Sequence, residues 1–202
     1  MDAQGDLTTF ILAGGKSTRM GRDKALVELE GQTLLARALT LARSVSDSVR
    51  IVGSREKFEG FAPVVEDVFP DCGPLAGIHA ALQSSSTDLN LILAVDTPFL
   101  TPEFLRFLID GAEKARKALA TVPRVGGWQP LCACYRRRFA AGAEKALRAG
   151  RYRIDLLFEL NQTRVIEKQE LEEAGFSESI FRNLNTPEEL AVSVTGNRQC
   201  LI

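Results

Sequence analysis

A glycine-rich loop that carries four cations follows the first apolar segment of the chain, residues 7–12. Glycines leave backbone N–H groups free to approach an anion. Lysine and arginine side chains bind polyphosphates through charge-assisted hydrogen bonds. The cations of the loop are Lys16, Arg19, Arg22 and Lys24. The loop therefore predicts a polyphosphate site, and a solvated basic loop between a strand and a helix is the alternative.

Two common phosphate-binding motifs do not describe this loop. A P-loop ends in Gly-Lys-Ser, which is present as Gly15-Lys16-Ser17, but the first glycine of that motif falls on Phe10. The dinucleotide fingerprint G-x-G-x-x-G fails as well, because Gly14 and Gly15 are adjacent. The chemistry of the loop must therefore come from another arrangement of glycines and cations.

A carboxylate follows the most apolar segment of the chain. Asp96 comes directly after Leu91–Val95. In open α/β sheets, ligands bind beyond the carboxyl ends of the strands. Mg²⁺ is commonly held by one or two carboxylates together with substrate phosphates. Asp96 is therefore predicted to be a magnesium ligand, and a helix-capping aspartate ahead of Pro98 is the alternative.

The elements that must position these residues alternate along about the first 120 positions. Such alternation predicts an α/β fold, a Rossmann-like three-layer sandwich with a mostly parallel sheet and helices on both faces. The predicted strands cover 7–12, 49–52, 63–66, 89–95, 118–122, 131–135 and about 163–166, and the predicted helices cover 33–43, 75–82, a segment from 101, and 136–149.

Composition narrows the functional classes. The chain has 202 residues, 45% hydrophobic and 25% charged, with a net charge of -1, so one globular domain is expected and a nucleic-acid-binding surface is not. No apolar run is long enough for a membrane span, and the polar start, residues 1–6, does not resemble a signal peptide. The four cysteines are expected to be reduced thiols of a cytoplasmic protein.

The glycine-rich loop resembles a known signature. Residues 12–24 are similar to L-A-G-G-x-S-x-R-M-G-x-x-K of the nucleotidyltransferases, and the double glycine is most similar to the MobA-type molybdenum cofactor guanylyltransferases. The resemblance covers roughly residues 7–192. It implies that backbone groups of the first three residues of the signature read the base and that a later arginine and lysine hold phosphates. These positions are Leu12, Ala13, Gly14, Arg19 and Lys24.

Three later motifs extend the resemblance. The sequence Val95–Pro98 is similar to the motif whose aspartate, here Asp96, binds magnesium in the family. The pair Glu66-Asp67 before Gly73-Pro-Leu-Ala-Gly77 is similar to the acidic pair of the family. It implies that Asp67 supports the nucleotide, and Asp71 is the alternative residue for this role. The ending N-x-N-T-P-E-E-L implies that two amides return to the site, and these are Asn183 and Asn185.

The resemblance implies a reaction and its partners. GMP is transferred from GTP to the terminal phosphate of molybdenum-molybdopterin, which gives molybdopterin guanine dinucleotide and pyrophosphate, with Mg²⁺ as cofactor. Molybdoenzyme apoproteins or their chaperones are candidate partners. The alternatives are a cytidylyltransferase or sugar-phosphate nucleotidyltransferase of the same fold, and a non-catalytic adaptor that handles the cofactor.

The chain is expected to form one domain, 1–202, in which different parts bind the two substrates. Its part 7–100 binds the nucleotide, 101–192 binds the acceptor, and 193–202 is a flexible tail. Within the acceptor part, Trp128 is a candidate for stacking on a flat heterocycle, and the alternative is that it covers an edge of the core. The arginines at 136–138, 151 and 153 are candidates for binding the phosphate of the acceptor, and the alternative is that they form a solvated helix face. His79, the single histidine, is expected to be a hydrogen-bonded structural residue.

Overall fold

The computed structural model describes residues 7–14, 23–158 and 162–184. The strands in these ranges are β1 (Leu7–Leu12), β2 (Glu28–Leu29), β3 (Gln32–Thr33), β4 (Ser48–Val52), β5 (Val64–Val65), β6 (Leu89–Ala94), β7 (Ala120–Arg124), β8 (Cys132–Arg136) and β9 (Thr163–Glu167). The α-helices are α1 (Leu34–Arg43), α2 (Arg55–Phe58), α3 (Pro74–Ser84), α4 (Pro102–Lys114), α5 (Phe139–Arg148) and α6 (Lys168–Glu173).

Seven of these strands form one sheet in the order β5-β4-β1-β6-β8-β7-β9. The strands β5, β4, β1 and β6 run parallel to one another, β8 is antiparallel to both of its neighbours, and β7 and β9 are parallel. The chain builds outward from β1 to β4 and β5 on one side, and then places β6 on the other. This reversal makes the carboxyl end of β1 a topological switch point, where open α/β sheets bind ligands.

Helices cover both faces of the sheet. One buried cluster joins α1, α4 and α6 to the sheet, and a second joins α3 and α5 to the opposite face. Neighbouring residues of β1 enter different clusters, Ile11 the first and Phe10 the second, as alternating side chains of a strand must. The predicted three-layer α/β fold is therefore confirmed.

Local sequence signals set the starts of two helices. Thr33 accepts a hydrogen bond from the backbone N–H of Ala36 at the start of α1. Thr101 accepts one from the N–H of Phe104 at the start of α4, and Pro102 occupies the first helical position, where its missing N–H costs nothing.

The structure differs from the prediction in short elements. The β2–β3 hairpin and α2 were not predicted, because segments of two to four residues carry too little periodicity. The helix predicted over 136–149 is shorter, since Arg136 ends β8 and α5 starts at Phe139. Among the described residues, no helix combines the length and apolarity that crossing a membrane requires.

Candidate active site

A cavity of about 550 Å³ opens at the carboxyl ends of β1, β4 and β6. Six of the predicted site residues line it, namely Leu12, Ala13, Gly14, Lys24, Asp67 and Asp96. They come from segments distant in the sequence, and the parallel strands bring them to one edge of the sheet. The structure therefore assembles these residues in one place, while their individual roles stay predictions.

The backbone after β1 is held from both sides. The N–H groups of Ala13 and Gly14 donate to the carbonyl oxygen of Val52 at the end of β4, at 3.0 and 3.2 Å. On the other side, the N–H of Val95 donates to the carbonyl oxygen of Leu12 at 3.2 Å. The first three residues of the glycine-rich segment therefore form a rigid floor of the cavity.

Lys24 and Asp96 form an ion pair at the cavity wall. The Lys24 Nζ atom donates to Asp96 Oδ2 at 2.6 Å, and the two side chains are only 16% and 22% exposed. Lys24 begins a 3-10 turn that Asp23 caps by accepting from the N–H of Ala25. The other oxygen of Asp23 accepts from Lys57 Nζ at 2.8 Å, so the turn that carries Lys24 is itself anchored.

Asp67 and Asp71 lie on the segment between β5 and α3, and both line the cavity. Partial desolvation of the carboxyl raises the pKa of Asp67 above its ordinary value. Asp71 has a backbone φ of 61°, a left-handed conformation that aspartate tolerates better than most residues. Both carboxylates therefore remain candidates for supporting the nucleotide.

The start of α3 packs tightly against the end of β1. Gly73 precedes the helix with φ of 72°, a conformation that favours glycine. Four residues later, a Cβ atom on Gly77 would lie 3.2 Å from Leu12 Cδ2. Both glycines line the cavity, so their small size brings the helix backbone close to any bound ligand.

The donor set at the cavity suits magnesium better than a structural metal. Within the described ranges, no three histidine, cysteine or acidic side chains cluster closely enough to hold a metal ion. Asp96 offers one half-buried carboxylate that faces the cavity. Mg²⁺ fits such a site because it takes one or two carboxylates and completes its coordination with substrate phosphates and water.

Comparison with known proteins agrees with this geometry. A family model described as the MobA-like NTP transferase domain matches residues 9–167. The chain belongs to this family. It is 35% identical to the probable molybdenum cofactor guanylyltransferase of Pelotomaculum thermopropionicum, over 91% of this chain and 89% of that protein. It is also 35% identical to the molybdenum cofactor guanylyltransferase of Desulfosudis oleivorans, over 94% of both chains.

A solved structure extends the likeness to three dimensions. The crystal structure of molybdopterin-guanine dinucleotide biosynthesis protein A from Archaeoglobus fulgidus superposes with a TM-score of 0.81 at 27% identity. The match covers 95% of this chain and 99% of that one. The MobA-like fold therefore extends beyond the residues that the family model matches.

The chain returns to the site of this MobA-like domain near its described end. The N–H of Leu184 donates to the carbonyl oxygen of Asp96 at 3.1 Å, and the guanidinium of Arg182 lies 4.4 Å from the ring centroid of Phe99. Asn183 is exposed between these two anchors. The other two predicted site residues, Arg19 and Asn185, lie outside the described residues.

Trp128, in the part predicted to bind the acceptor, is half-buried. The ring centroid of Trp128 lies 4.9 Å from that of Phe158, and the guanidinium of Arg124 lies 5.1 Å from the Trp128 centroid. Covering a core edge is therefore part of its role. Arg153 is exposed and pairs with Asp155 at 2.5 Å.

Arg136 and Arg138, two of the candidates for the acceptor phosphate, lie away from the cavity. Arg136 pairs with Leu89 at the beginning of β6, whereas Asp96 follows the end of that strand. Arg138 donates to backbone carbonyls of 116–118. Because β8 runs antiparallel to β6, its last residue reaches the edge of the sheet opposite the cavity.

The cavity has two apolar walls, Val52 and Leu131, and sequence reasoning did not single out Val52. Val52 ends β4, and Leu131 precedes β8 and accepts a backbone hydrogen bond from Ala94 at 2.7 Å. Apolar residues at strand ends carry no chemical signal of their own. Their position at the edge of the sheet becomes apparent only when the order of the strands is known.

Proposed function

We propose that this protein is a molybdenum cofactor guanylyltransferase. It transfers GMP from GTP to the terminal phosphate of molybdenum-molybdopterin and releases pyrophosphate. The observation that carries the proposal is the Lys24–Asp96 pair, placed at the switch point of the sheet inside a cavity large enough for a nucleotide. The names of relatives at 35% identity over nearly the whole chain support guanine and molybdopterin as the substrates.

The chemistry requires positioning more than proton transfer. A phosphate oxygen of the acceptor attacks the α-phosphorus of GTP, and the bond from that phosphorus to the bridging oxygen breaks. The nucleophile is already an anion, so a general base has little to do. The main task of the protein is to align the reactants and to offset negative charge.

The residues of the cavity divide this task. The rigid backbone at Leu12, Ala13 and Gly14 contacts the base, while Lys24 and Arg19 hold the triphosphate. Asp67 supports the nucleotide, and Asn183 and Asn185 provide amides. Asp96 is the residue that would hold Mg²⁺, which when bound neutralises charge on the phosphates.

The two halves of the domain serve the two substrates. Residues 7–100 provide nearly all of the cavity lining and bind the nucleotide, and 101–192 bind the acceptor, with 193–202 as a tail. Cys132 and Cys134 are free and buried, and burial raises the pKa of both thiols, which suits a reducing cytoplasm. Molybdoenzyme apoproteins or their chaperones would receive the product.

Direct binding of three nucleotides tests the choice of base. We expect GTP with Mg²⁺ to raise the melting temperature more than CTP or UTP does at the same concentration, because a ligand that binds the folded state more tightly stabilises it more. A larger shift with CTP would overturn the guanylyl assignment in favour of a cytidylyltransferase of the same fold.

A further inference from the structure

The segment that carries Asp67 and Asp71 to the cavity has few anchors of its own. It spans residues 66–73 between β5 and α3 and contains no helix or strand. Only two of its side chains, Phe69 and Cys72, are not exposed, and both pack against the cluster beneath α3 and α5. Glu66, at the start of the segment, also accepts a hydrogen bond from the backbone N–H of Arg55 at 3.3 Å, so Phe69 and Cys72 share in holding the carboxylates in position.

Phe69 is held between two helices. Its ring meets the His79 ring of α3 edge-on, with centroids 5.2 Å apart and an interplanar angle of 72°. The guanidinium of Arg148, at the end of α5, lies 5.6 Å from the centroid of the same ring. One contact comes from the nucleotide half of the chain and the other from the acceptor half.

Glu144 links the two side chains that hold Phe69. The Nε and Nη2 atoms of Arg148 both donate to Glu144 Oε1, at 2.9 and 2.7 Å, which fixes the guanidinium in place. Glu144 Oε2 lies 4.0 Å from Nε2 of His79. The four side chains thus form a closed ring of contacts, which we call the Phe69 clamp: His79, Phe69, Arg148 and Glu144.

The clamp uses His79 as an apolar surface. The histidine is only 3% exposed, and neither ring nitrogen has a hydrogen-bond partner within the described part of the chain. Burial lowers the pKa of its imidazole, so the ring is neutral at pH 7. A neutral ring packs against Phe69 without a charge to solvate.

The second anchor also reaches the acceptor half. Cys72 lies near the hydroxyl of Tyr152, and this proximity raises the pKa of the Tyr152 phenol. Tyr152 lies four residues beyond Arg148. Residues in and just after α5 therefore contact both anchored side chains of the segment.

We propose that Phe69 and Arg148 are positioning residues for the nucleotide: through the Phe69 clamp, the acceptor half of the domain fixes Asp67 and Asp71 at the cavity. This inference rests on the proposed function only in that the cavity binds a nucleotide. It assigns a role to α5, which contributes no side chain to the cavity lining.

Binding measurements on two variants of the full chain test the clamp. Phe69→Ala removes the ring, and Arg148→Met removes the cation while keeping a long side chain. We expect each to weaken GTP binding with Mg²⁺, Phe69→Ala by roughly ten-fold, because displaced carboxylates no longer meet the ligand. KM for GTP should rise accordingly, while kcat at saturating GTP changes by less than about two-fold.

Two matched controls separate positioning from general destabilisation. Phe61 is a 44% exposed phenylalanine outside the clamp, and Arg106 is an exposed helical arginine paired only with Glu103 among the described charges. Phe61→Ala and Arg106→Met should bind GTP as the wild type does. Arg148 is 68% exposed, so Arg148→Met remains informative even where Phe69→Ala fails to fold.

A double-mutant cycle gives the decisive reading. In a chain with Asp67→Asn and Asp71→Asn, adding Phe69→Ala should cost less than about two-fold, because the groups that the clamp positions are gone. A full loss in that background, or equal losses in the controls, would overturn the proposal. Binding is measured with GTP and CTP, so a wild type that prefers CTP would contradict the proposed function while leaving the clamp testable.

Discussion

Lys24 and Asp96 are 72 positions apart in the sequence, yet their side chains meet at 2.6 Å. Each was a candidate from its local context, one at the end of a basic loop and the other after an apolar strand. The parallel pairing of β1 and β6 places Asp96 beside the end of β1, and the anchored 3-10 turn that begins at Lys24 brings the ammonium to it. A cation and a carboxylate at this point suit a ligand that carries phosphates and a metal ion.

Replacing Lys24 tests whether its ammonium acts on phosphate. Lys24→Ala should weaken the binding of GTP by about ten- to a hundredfold, because a hydrogen bond to a charged group contributes roughly 1.5–3 kcal/mol. Guanosine, which has no phosphate, should bind almost unchanged. Calorimetry with Mg²⁺ measures both, with Lys114→Ala on the exposed end of α4 as the control. Equal losses for the two ligands would mean that Lys24 shapes the cavity and does not touch phosphate.

Replacing Asp96 tests the metal site. Asp96→Asn should keep the fold and slow transfer by on the order of a hundredfold or more, because an amide is a poor magnesium ligand beside phosphate. Asp88→Asn is the matched control, since Asp88 pairs with Arg136 at the opposite edge of the sheet. If Asp96→Asn turned over at a rate close to that of the control, Asp96 would not be the magnesium ligand.

At the scale of elements, α3 forms one wall of the cavity, and its approach to β1 depends on Gly77. Alanine normally stabilises a helix interior relative to glycine by about 1 kcal/mol. Gly142 in α5 has open space around it, so Gly142→Ala should show that gain. Gly77→Ala should not show this gain in stability, because the new methyl group would lie 3.2 Å from Leu12. Chemical denaturation compares the two variants, and an equal gain at both positions would contradict the tight packing.

The same helix predicts a dependence of stability on pH. Burial lowers the pKa of His79 in the folded state, so below about pH 6.5 the unfolded chain takes up a proton that the folded chain resists. The free energy of unfolding should therefore fall as the pH drops from 7 to 5. Glu144 opposes this effect on the imidazole, and Arg148 reinforces it.

The chain has a single histidine, which makes the comparison specific. His79→Leu should be at least as stable as the wild type at pH 7, because it removes two buried nitrogens that have no hydrogen-bond partner in the described ranges. The difference in the free energy of unfolding between His79→Leu and the wild type should grow by about 1 kcal/mol or less when the pH is lowered to 5. An advantage that does not change with pH would show that His79 titrates normally in the folded protein.

At the scale of the whole molecule, the sequence predicted the layers and most of the cavity. Long apolar strands and capped helices carry strong local signals. Asp96 follows from where its strand ends, whereas Leu12 to Gly14 and Lys24 were implied by the resemblance to the nucleotidyltransferase signature. The sequence could not remove Arg136 and Arg138 from the candidates, because the direction of β8 does not follow from its own residues. Reversing one strand moves its last residue from one edge of the sheet to the other.

His79 shows a second limit. It is buried between helices as a structural residue would be, but the prediction that it is hydrogen-bonded is wrong, since both ring nitrogens lack hydrogen-bond partners among the described residues. The Phe69 clamp could not be predicted either, because it joins side chains from α3, α5 and an irregular segment. Contacts of this kind depend on how helices pack, which local patterns do not determine.

The mass of the reaction product tests the central claim most directly. Wild-type protein would be incubated with molybdenum-molybdopterin, Mg²⁺ and equal amounts of GTP and CTP, and the products separated and weighed by mass spectrometry. The account predicts a molybdopterin guanine dinucleotide with one pyrophosphate released per product formed. A cytosine dinucleotide as the main product, or no pyrophosphate release while GTP remains bound, would contradict it.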